Sequence, residues 1–438
     1  MDGFGPPPGL YLHVPFCRHR CGYCDFNVAT GSDRAQRSAY AEALRRRLDA
    51  LAAAGPAAVA PAGAPVADGW PEFGSVFVGG GTPTLLDPAD LAAVLRTAAE
   101  VLPLAADAEV TVEANPETLV DDGGTLVDDG GTLVAGGAPA PERLAPLVAA
   151  GLTRLSLGAQ STSARVLDAL ERRHDPDTVP AAIRAAREAG VAQVAVDLIC
   201  GTPGETAGEW RRSLADVLAL GVDHVSAYAL TLAPNTPYAR DVAAGRAAPP
   251  DDDVAADRMA VADEVLTAAG IERYEVSNWA RPGAQARHNL AIWQGGDYLA
   301  AGAGAHGRWA GRRWWEVRAT SAWLRAVDGR LRARTPAPAA PARPHGPARP
   351  HGPARPHGPG DAVVGGSEVP GPDELRAERL LTGLRIFAGV PRDEVEPIDE
   401  TAAAQLASAG LLEDDGVRLR PTRAGLAKVD GIALALLR

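Results

Sequence analysis

The sequence has few of the features that mark secreted or membrane-spanning proteins. It contains only four cysteines in 438 residues, too few for a disulfide framework. We find no run of about 18 uncharged apolar residues that would predict a transmembrane helix. The start MDGFGPPPGLYLHV lacks the basic segment and long apolar run of a secretory signal. We therefore expect a cytoplasmic protein without stable membrane insertion.

Basic residues are also in the minority. The 43 Lys and Arg residues against 55 Asp and Glu residues give a net charge of −12, which argues against broad nucleic-acid binding. Lys, Met and Phe are scarce while Ala, Gly, Pro and Arg are abundant, so base composition has shaped the neutral positions. The 46% hydrophobic and 22% charged residues are typical of a globular chain, and its length predicts two or three domains.

Short apolar runs alternate with longer amphipathic segments in the first half of the chain. The candidate strands are residues 10–14, 75–78, 109–113, 154–157, 193–199 and 224–230. The candidate helices are residues 38–51, 88–101, 163–172, 180–190, 205–220 and 253–269. This alternation predicts a parallel sheet with right-handed crossovers. Residues 1–235 are thus expected to form an open (β/α)6 partial TIM barrel, and 236–332 an extension of it.

Two repeats interrupt this order. TLVDDGG begins at residue 118 and recurs at 125; its paired glycines disfavour a helix, and we interpret it as a duplicated surface loop. PARPHG recurs through residues 341–360 and predicts a disordered linker over 333–371. The histidines of that repeat (His345, His351 and His357) could bind a metal or heme adventitiously, but repeat expansion is the preferred explanation. Residues 372–438 are expected to form a small, mainly helical domain.

Three of the four cysteines lie within eight residues, as Cys17, Cys21 and Cys24. Thiolates are the usual ligands of iron–sulfur clusters, whereas structural zinc normally uses two separated Cys pairs, and a second pair is absent. The fourth cysteine, Cys200, lies in an apolar strand and is expected to be a buried hydrophobic residue. Three cysteines leave one iron of a [4Fe-4S] cluster without a protein ligand. Cys-x3-Cys-x2-Cys after a strand is the signature of radical S-adenosylmethionine (SAM) proteins, in which SAM chelates that iron.

Polar residues follow the other predicted strands, at the edge where parallel α/β barrels place their chemistry. Glycines at 79–81 permit close approach of a ligand to the backbone, although such a turn alone is weak evidence. Glu113 ends the third strand and Gln160 the fourth. Arg172 could bind a carboxylate bidentately, and a solvated charge at a helix end is an equally good explanation from spacing alone. Asp197 lies inside an apolar strand, which favours a role in a site.

Together these motifs resemble the oxygen-independent coproporphyrinogen III oxidase family of radical SAM proteins, and most closely its HemW branch of heme chaperones. The motifs are YLHVPFC, VGGGTPT, VEANP, LSLGAQS, VDLICGTPGET, YEVSNWA, HNLAIW and GAGAHG. The resemblance implies that SAM contacts Tyr11, Tyr23, Gly80, Gly81, Thr82, Glu113, Gln160, Arg172, Asp197, Ala229 and His306.

Features of this chain favour the chaperone branch. The oxidase has a further cysteine where this chain has Phe26, and it carries a long N-terminal extension before the first strand. The chaperone branch has a heme-associated His-Asn-x-x-Tyr-Trp element, which reads His288 to Trp293 here with Ile292 in place of the tyrosine. The resemblance implies heme ligation by His288, although a histidine beside Asn is otherwise often a satisfied surface group. Trp293 could stack on a porphyrin or belong to the core.

Three functions remain open at this point. The resemblance implies a heme chaperone that binds heme and transfers it to respiratory hemoproteins, with a [4Fe-4S] cluster and SAM as further cofactors; it also allows a homodimer. The second function is oxidative decarboxylation of coproporphyrinogen III by radical SAM chemistry. The third is radical SAM catalysis on another substrate, because fold and cofactor do not fix function.

Overall fold

A computed structural model describes residues 5–121, 138–329 and 362–437. Its strands are β1 (Gly9–Val14), β2 (Phe73–Gly80), β3 (Leu104–Ala114), β4 (Val120–Asp121), β5 (Ala138–Pro139), β6 (Arg154–Gln160), β7 (Gln193–Cys200), β8 (His224–Ala229), β9 (Glu272–Arg273), β10 (Asn278–Ala280), β11 (Tyr298–Ala301), β12 (His306–Trp309), β13 (Arg312–Glu316), β14 (Val364–Glu368), β15 (Val390–Pro391), β16 (Leu412–Asp414) and β17 (Arg418–Pro421). Its helices are α1 (Arg34–Ala54), α2 (Pro88–Val101), α3 (Ala145–Ala149), α4 (Ala164–Ala169), α5 (Thr178–Glu188), α6 (Ala207–Ala219), α7 (Pro237–Ala243), α8 (Asp252–Ala268), α9 (Arg287–Trp293), α10 (Thr320–Val327), α11 (Pro372–Gly383), α12 (Glu400–Ser408), α13 (Arg423–Leu426) and α14 (Val429–Leu436). Among these described helices, none is both long and apolar enough to cross a membrane.

The predicted parallel sheet is confirmed, and each of its six predicted strands is present. β1, β2, β3, β6, β7 and β8 are neighbours in that order, and every pair is parallel. The alternation of residue types sets the two faces of the sheet. Leu10, Leu12 and Val14 of β1 are fully buried in the main core with Tyr40 of α1, so Tyr11 between them projects toward the barrel interior.

The sheet continues beyond both edges of this six-stranded core. β11 pairs in parallel with β1, and β12, β13 and β14 follow by antiparallel pairing. At the other edge, β10 pairs with β8, and β9 pairs with β10. The YEVSNWA and GAGAHG motifs therefore lie on the two additions that flank the open side of the barrel.

One strand lies within the predicted linker. Residues 364–368 form β14 and extend the sheet, whereas the sequence predicted disorder throughout 333–371. The segment has two central glycines and no clear alternation, so its pattern does not resemble a strand. Its pairing depends on tertiary packing, because a Cβ added at Gly366 would lie 2.4 Å from the Trp315 ring. Residues 333–361 of the predicted linker, with the three repeat histidines, and residues 122–134 of the TLVDDGG repeat lie outside the described residues.

The C-terminal region folds around its own core, built from α11, α12, α14 and a small sheet of order β15-β17-β16. It is anchored to both additions of the barrel sheet. Val276 N–H donates to the Arg385 carbonyl at 2.9 Å, and Glu378 pairs with Arg313 at 3.1 Å. This region, predicted as a mainly helical domain, therefore packs across the barrel.

Candidate functional site

The cysteine loop begins where β1 ends. Its two ends are tied together, because Cys17 N–H donates to the Ala29 carbonyl at 3.0 Å and Ala29 N–H donates to the Pro15 carbonyl at 2.7 Å. The glycine turn after β2 supports the same loop. Gly81 N–H donates to Val14, and a Cβ at Gly81 would lie 2.6 Å from the Phe16 carbonyl oxygen. A glycine is therefore required at 81, and the turn predicted from GGGT packs directly beneath the cysteines.

Polar groups from distant parts of the chain contact two of the three sulfurs. Thr82 Oγ1 lies 3.7 Å from Cys17 Sγ, and Arg172 Nη1 lies 3.7 Å from Cys21 Sγ. Burial raises the pKa of Cys17 to about 11, against the hydrogen bond from Thr82. Burial also opposes ionisation of Cys21, but the hydrogen bond from His19 and the Arg172 charge outweigh it and lower the pKa of that thiol.

The donor set fits an iron–sulfur cluster. Three free thiols share one loop, and their neighbours are N–H and O–H donors, which stabilise thiolate. Within the described ranges, no three His, Cys, Asp or Glu side chains converge on a single metal ion. That result is compatible with a cube, because each thiolate would bind a different iron. Cys200 is fully buried in β7, as predicted, and contributes no thiol to the loop.

Two half-buried carboxyl groups line the interior of the barrel beside the loop. Glu113 Oε2 accepts the Gly80 N–H at 2.9 Å, and Asp197 accepts the Ser156 hydroxyl at 3.2 Å. Burial, reinforced by the charge of Asp197, raises the pKa of Glu113 to about 8. Burial likewise raises the pKa of Asp197. Such a pair is suited to bind a cationic ligand, which would compensate two charges that are otherwise costly to bury.

Arg172 lies inside the same site and is not a solvated charge at a helix end. Its side chain is buried, with Nη2 donating to the Gly158 carbonyl at 2.6 Å and to Asn115 Oδ1 at 2.9 Å. Its Nε atom is buried without a hydrogen-bond partner. Gln160 is the last residue of β6 and has a φ of +65°. An incompletely satisfied guanidinium in this position is suited to receive an anionic group.

The remaining predicted SAM residues surround this interior. Tyr11 O–H lies 2.9 Å from His13 Nδ1, and Ala229 ends β8 beside Cys200 of β7. Tyr23 lines a cavity of about 250 Å³ between the cysteine loop and α7. His306 is the exposed first residue of β12. All eleven predicted positions therefore fall around the cysteine loop and the barrel edge next to it.

His288 lies elsewhere, at the opposite end of the barrel strands. Its Nδ1 is 2.9 Å from Ser75 Oγ, and its ring stacks on Phe77 with centroids 5.2 Å apart. A Cβ at Gly9 would lie 2.7 Å from the ring. The imidazole is 3% exposed, and burial lowers its pKa to about 4. In this conformation a porphyrin cannot reach it, so heme ligation by His288 would require α9 to move.

Trp293, at the end of the same helix, is covered by the C-terminal region. The Arg385 guanidinium lies 5.4 Å from the centroid of its ring, and Arg379 Nη1 donates to its carbonyl at 3.3 Å. Ile292 beside it is half-buried. This tryptophan joins two parts of the fold, which agrees with the core interpretation of the sequence better than with a porphyrin platform.

Sequence reasoning missed two asparagines that connect the site. Asn115 bridges Thr82 Oγ1 and Arg172 Nη2 at 2.9 Å each, and so links residues that contact two different cysteine sulfurs. Asn27 Nδ2 donates to the Ala303 carbonyl at 2.7 Å and ties the cysteine loop to the GAGAHG segment. Asn115 stands within the VEANP motif, so a signal existed for it. Nothing in the sequence around Asn27 indicates its partner.

Comparison with known proteins adds an independent result. Residues 11–217 match the radical SAM superfamily, and residues 372–427 match the HemN C-terminal domain. The chain is 43% identical over 327 residues to the heme chaperone HemW of Mycobacterium tuberculosis strain H37Rv, covering 74% of this chain and 75% of that protein. It is 35% identical over 305 residues to the heme chaperone HemW of Escherichia coli K12, covering 69% and 70%. Among solved structures, the coproporphyrinogen III oxidase HemN of Escherichia coli aligns with a TM-score of 0.71 at 20% identity over 98% of this chain and 90% of that one, a likeness of fold.

Proposed function

This chain belongs to the HemW family of the radical SAM superfamily, and from that premise we propose that it binds heme and passes it to hemoprotein acceptors. The observation that carries the proposal is its 43% identity, over three quarters of both chains, to a protein named heme chaperone HemW. Membership of the superfamily implies SAM and a [4Fe-4S] cluster. The proposed acceptors are respiratory hemoproteins, reached from the cytoplasm, and the chaperone acts alone or as a homodimer.

Cys17, Cys21 and Cys24 are the proposed ligands of the cluster. Their position on a loop closed at residues 15 and 29 supports this assignment, because a closed loop fixes three sulfurs with little loss of entropy on binding. When bound, such a cluster supplies the electron for reductive cleavage of the SAM sulfonium. Arg172 and Thr82, which contact two of the sulfurs, would stabilise the thiolates.

The proposed SAM groove is lined by the remaining residues around the cysteine loop. Glu113 and Asp197 would hold the cationic amino group or the ribose hydroxyls. Arg172 would pair with the SAM carboxylate through its unsatisfied edge. Gly80 and Gly81 would let the methionine part approach the backbone, with Tyr11, Tyr23, Thr82, Gln160, Ala229 and His306 completing the walls. The proposed binding of SAM thus satisfies buried groups that lack full compensation in the described structure.

The decisive experiment is heme titration and transfer with the anaerobically reconstituted full chain. We expect saturable, near-stoichiometric heme binding, followed by transfer to an apo-hemoprotein such as an apo-cytochrome b. The Soret band and the activity of the acceptor measure the two steps. Free heme at the same concentration is the control for spontaneous uptake. Absence of saturable binding would refute the proposal.

The same preparation tests the oxidase alternative. Coproporphyrinogen III, SAM and a reductant are supplied together, and carbon dioxide and protoporphyrinogen IX are measured. Turnover without heme transfer would replace the chaperone with the enzyme. Heme transfer without decarboxylation, at a rate unchanged by omission of the porphyrinogen, would retain the chaperone.

A further inference from the structure

The guanidinium of Arg172 is bound at two of its three nitrogens. Nη1 lies 3.7 Å from Cys21 Sγ, and Nη2 donates to the Gly158 carbonyl at 2.6 Å and to Asn115 Oδ1 at 2.9 Å. Nε is buried without a hydrogen-bond partner. The donors of a guanidinium lie in one rigid plane, so a group that accepts from Nε also fixes the direction of Nη1 toward the sulfur.

His174 lies on the same buried side of the chain as Arg172. The two side chains are 5% and 8% exposed, and Arg173 between them is exposed, an alternation that is typical of extended backbone. Both ring nitrogens of His174 are buried without a partner, and the nearby Ala159 backbone lies outside hydrogen-bonding geometry. Burial, reinforced by the charge of Arg172, lowers the pKa of His174 to about 4. The imidazole is therefore neutral at neutral pH, with one donor and one acceptor nitrogen.

Glu117 brings a negative charge to the same place from another part of the chain. It lies in the short 3₁₀ turn Pro116–Thr118, directly after Asn115, and this turn packs against α5. Its side chain is buried, and its Oε2 has no hydrogen-bond partner. The charge of Glu117 acts on both Arg172 and His174. A buried arginine needs such a charge partner, because an uncompensated buried charge is costly.

The unsatisfied atoms of these three side chains are complementary. Arg172 Nε can only donate, a carboxylate oxygen can only accept, and a neutral imidazole does both. Two hydrogen bonds, from Nε–H to the imidazole and from the imidazole N–H to the carboxylate, would satisfy all three groups. Buried polar groups in proteins are nearly always satisfied in this way.

We propose that His174 is a positioning residue: it accepts the Nε–H of Arg172, donates to Glu117, and so holds the guanidinium against the sulfur of Cys21. The inference rests on the proposed [4Fe-4S] cluster and does not depend on heme binding. An N–H donor and a positive charge beside a cluster sulfur favour the reduced cluster, because they stabilise the added electron. The fixed guanidinium therefore makes the cluster easier to reduce.

The test is anaerobic potentiometric titration of the reconstituted full chain, followed by electron paramagnetic resonance of the reduced cluster. His174→Leu replaces one neutral side chain by another, so any change in potential reflects the direction of Arg172 and not a lost charge. We expect the equilibrium constant for one-electron reduction to fall by about tenfold, which lowers the midpoint potential by about 59 mV. His174→Gln keeps one donor and one acceptor and should retain the parent potential.

Two further variants separate positioning from a general loss of structure. His224 is a buried histidine at the amino end of β8, bonded to Tyr274, and the matched control His224→Leu should keep the parent potential. Arg172→Gln should lower the potential as His174→Leu does. Adding His174→Leu to Arg172→Gln should change nothing more, because no guanidinium remains to be positioned. A parent potential in His174→Leu, or a further fall in the double variant, would overturn the proposal.

A second measurement needs no cluster and decides the question if His174→Leu does not take one up. In the cluster-free chain, isotopically labelled at its arginine side chains, the Nε–H resonance of Arg172 is identified by its loss in Arg172→Lys. We expect slow exchange of that proton with water in the parent and in His174→Gln, and exchange faster by about tenfold or more in His174→Leu. Equal exchange rates would overturn the proposal. A parent chain that takes up no iron would instead refute the cluster, whereas failure to bind heme would leave the assignment of His174 unchanged.

Discussion

The position of α9 at the amino ends of the barrel strands depends on one carboxylate. Glu109 of β3 accepts the N–H groups of Arg287 and His288, the first two residues of α9, at 3.0 and 3.2 Å. Such N–H groups have no partner within the helix, and a negative charge at this end is also favoured by the helix dipole. Glu109 is only 4% exposed, so water replaces it poorly. We expect Glu109→Ala to loosen α9 selectively.

The magnitude follows from these two hydrogen bonds. A hydrogen bond to a charged group contributes about 1.5–3 kcal/mol, and two that share one carboxylate are not additive, so we expect a loss of about 3 kcal/mol. In Glu109→Gln one acceptor oxygen remains, and we expect a smaller loss of about 2 kcal/mol. The assay is amide hydrogen exchange of residues 284–296, because the chain has more than one core and a single unfolding free energy would not be defined. A loss of about 3 kcal/mol corresponds to exchange faster by about two orders of magnitude.

The outcome also bears on where heme binds. If amides of α9 exchange at the parent rate in Glu109→Ala, the carboxylate does not hold the helix and the reasoning is refuted. If α9 loosens, His288 becomes accessible, and any gain in heme binding that disappears in the Glu109→Ala/His288→Ala double variant would identify His288 as a ligand of the opened form. Unchanged heme binding in the loosened variant would argue against His288 as a heme ligand.

Three further predictions concern charge and sulfur. The pKa of Glu113 is raised to about 8. Between the ordinary pKa of a glutamate and pH 8, the folded protein therefore holds a proton that the unfolded chain has lost, and the stability of the fold decreases as pH rises. The melting temperature of apo Glu113→Gln should exceed that of the parent by a margin that grows from pH 5 to pH 8, and a constant margin would contradict this. Glu316→Ala removes a buried carboxylate that accepts from Arg47 Nε, the Gly302 N–H and Trp323 Nε1 at 2.7, 2.8 and 2.6 Å. We expect a local loss of about 3–5 kcal/mol, measured by amide hydrogen exchange in α1 and α10, and a change below about 1 kcal/mol would count against a structural role of Glu316. Cys17→Ala should abolish the broad visible absorption and lower the iron content of the reconstituted protein, whereas the buried control Cys200→Ala should retain both; equal loss in the two variants would contradict the ligand assignment.

The barrel core was predictable from sequence because its signals are local. Each of the six strands is an apolar run of ordinary length. Helix α2 spans Pro88–Val101, and its start is signalled by Asp87, whose side chain accepts the Ala89 N–H, followed by a proline. The apolar spacing of the residues after Pro88 indicates the rest of the helix. The cysteine spacing is likewise local, so it predicted the position of the loop. β14 escaped prediction because its glycines are explained only by Trp315, more than 50 residues away.

The environment of His288 was not predictable for the same reason. Its partners are Ser75 and Phe77 of β2, and its helix is held by Glu109 of β3. Nothing in the HNLAIW motif indicates which end of the barrel it occupies. The sequence therefore predicted a candidate ligand from residue type, whereas accessibility, which decides ligation, depends on contacts between distant segments.

The pairing of β11 with β1 has a consequence for the synthesis of the protein. Gly9 of β1 pairs with Tyr298 of β11, 289 positions later in the chain. At a synthesis rate of about 5–20 residues per second, one edge of β1 waits roughly 15–60 s for its partner after it leaves the ribosome. During that time the backbone N–H and C=O groups of this edge are unpaired beside the newly made cysteine loop, and an unpaired edge can add a strand from another chain. The nascent protein is therefore prone to aggregate during this interval, and a co-expressed holdase chaperone should increase the yield of folded protein.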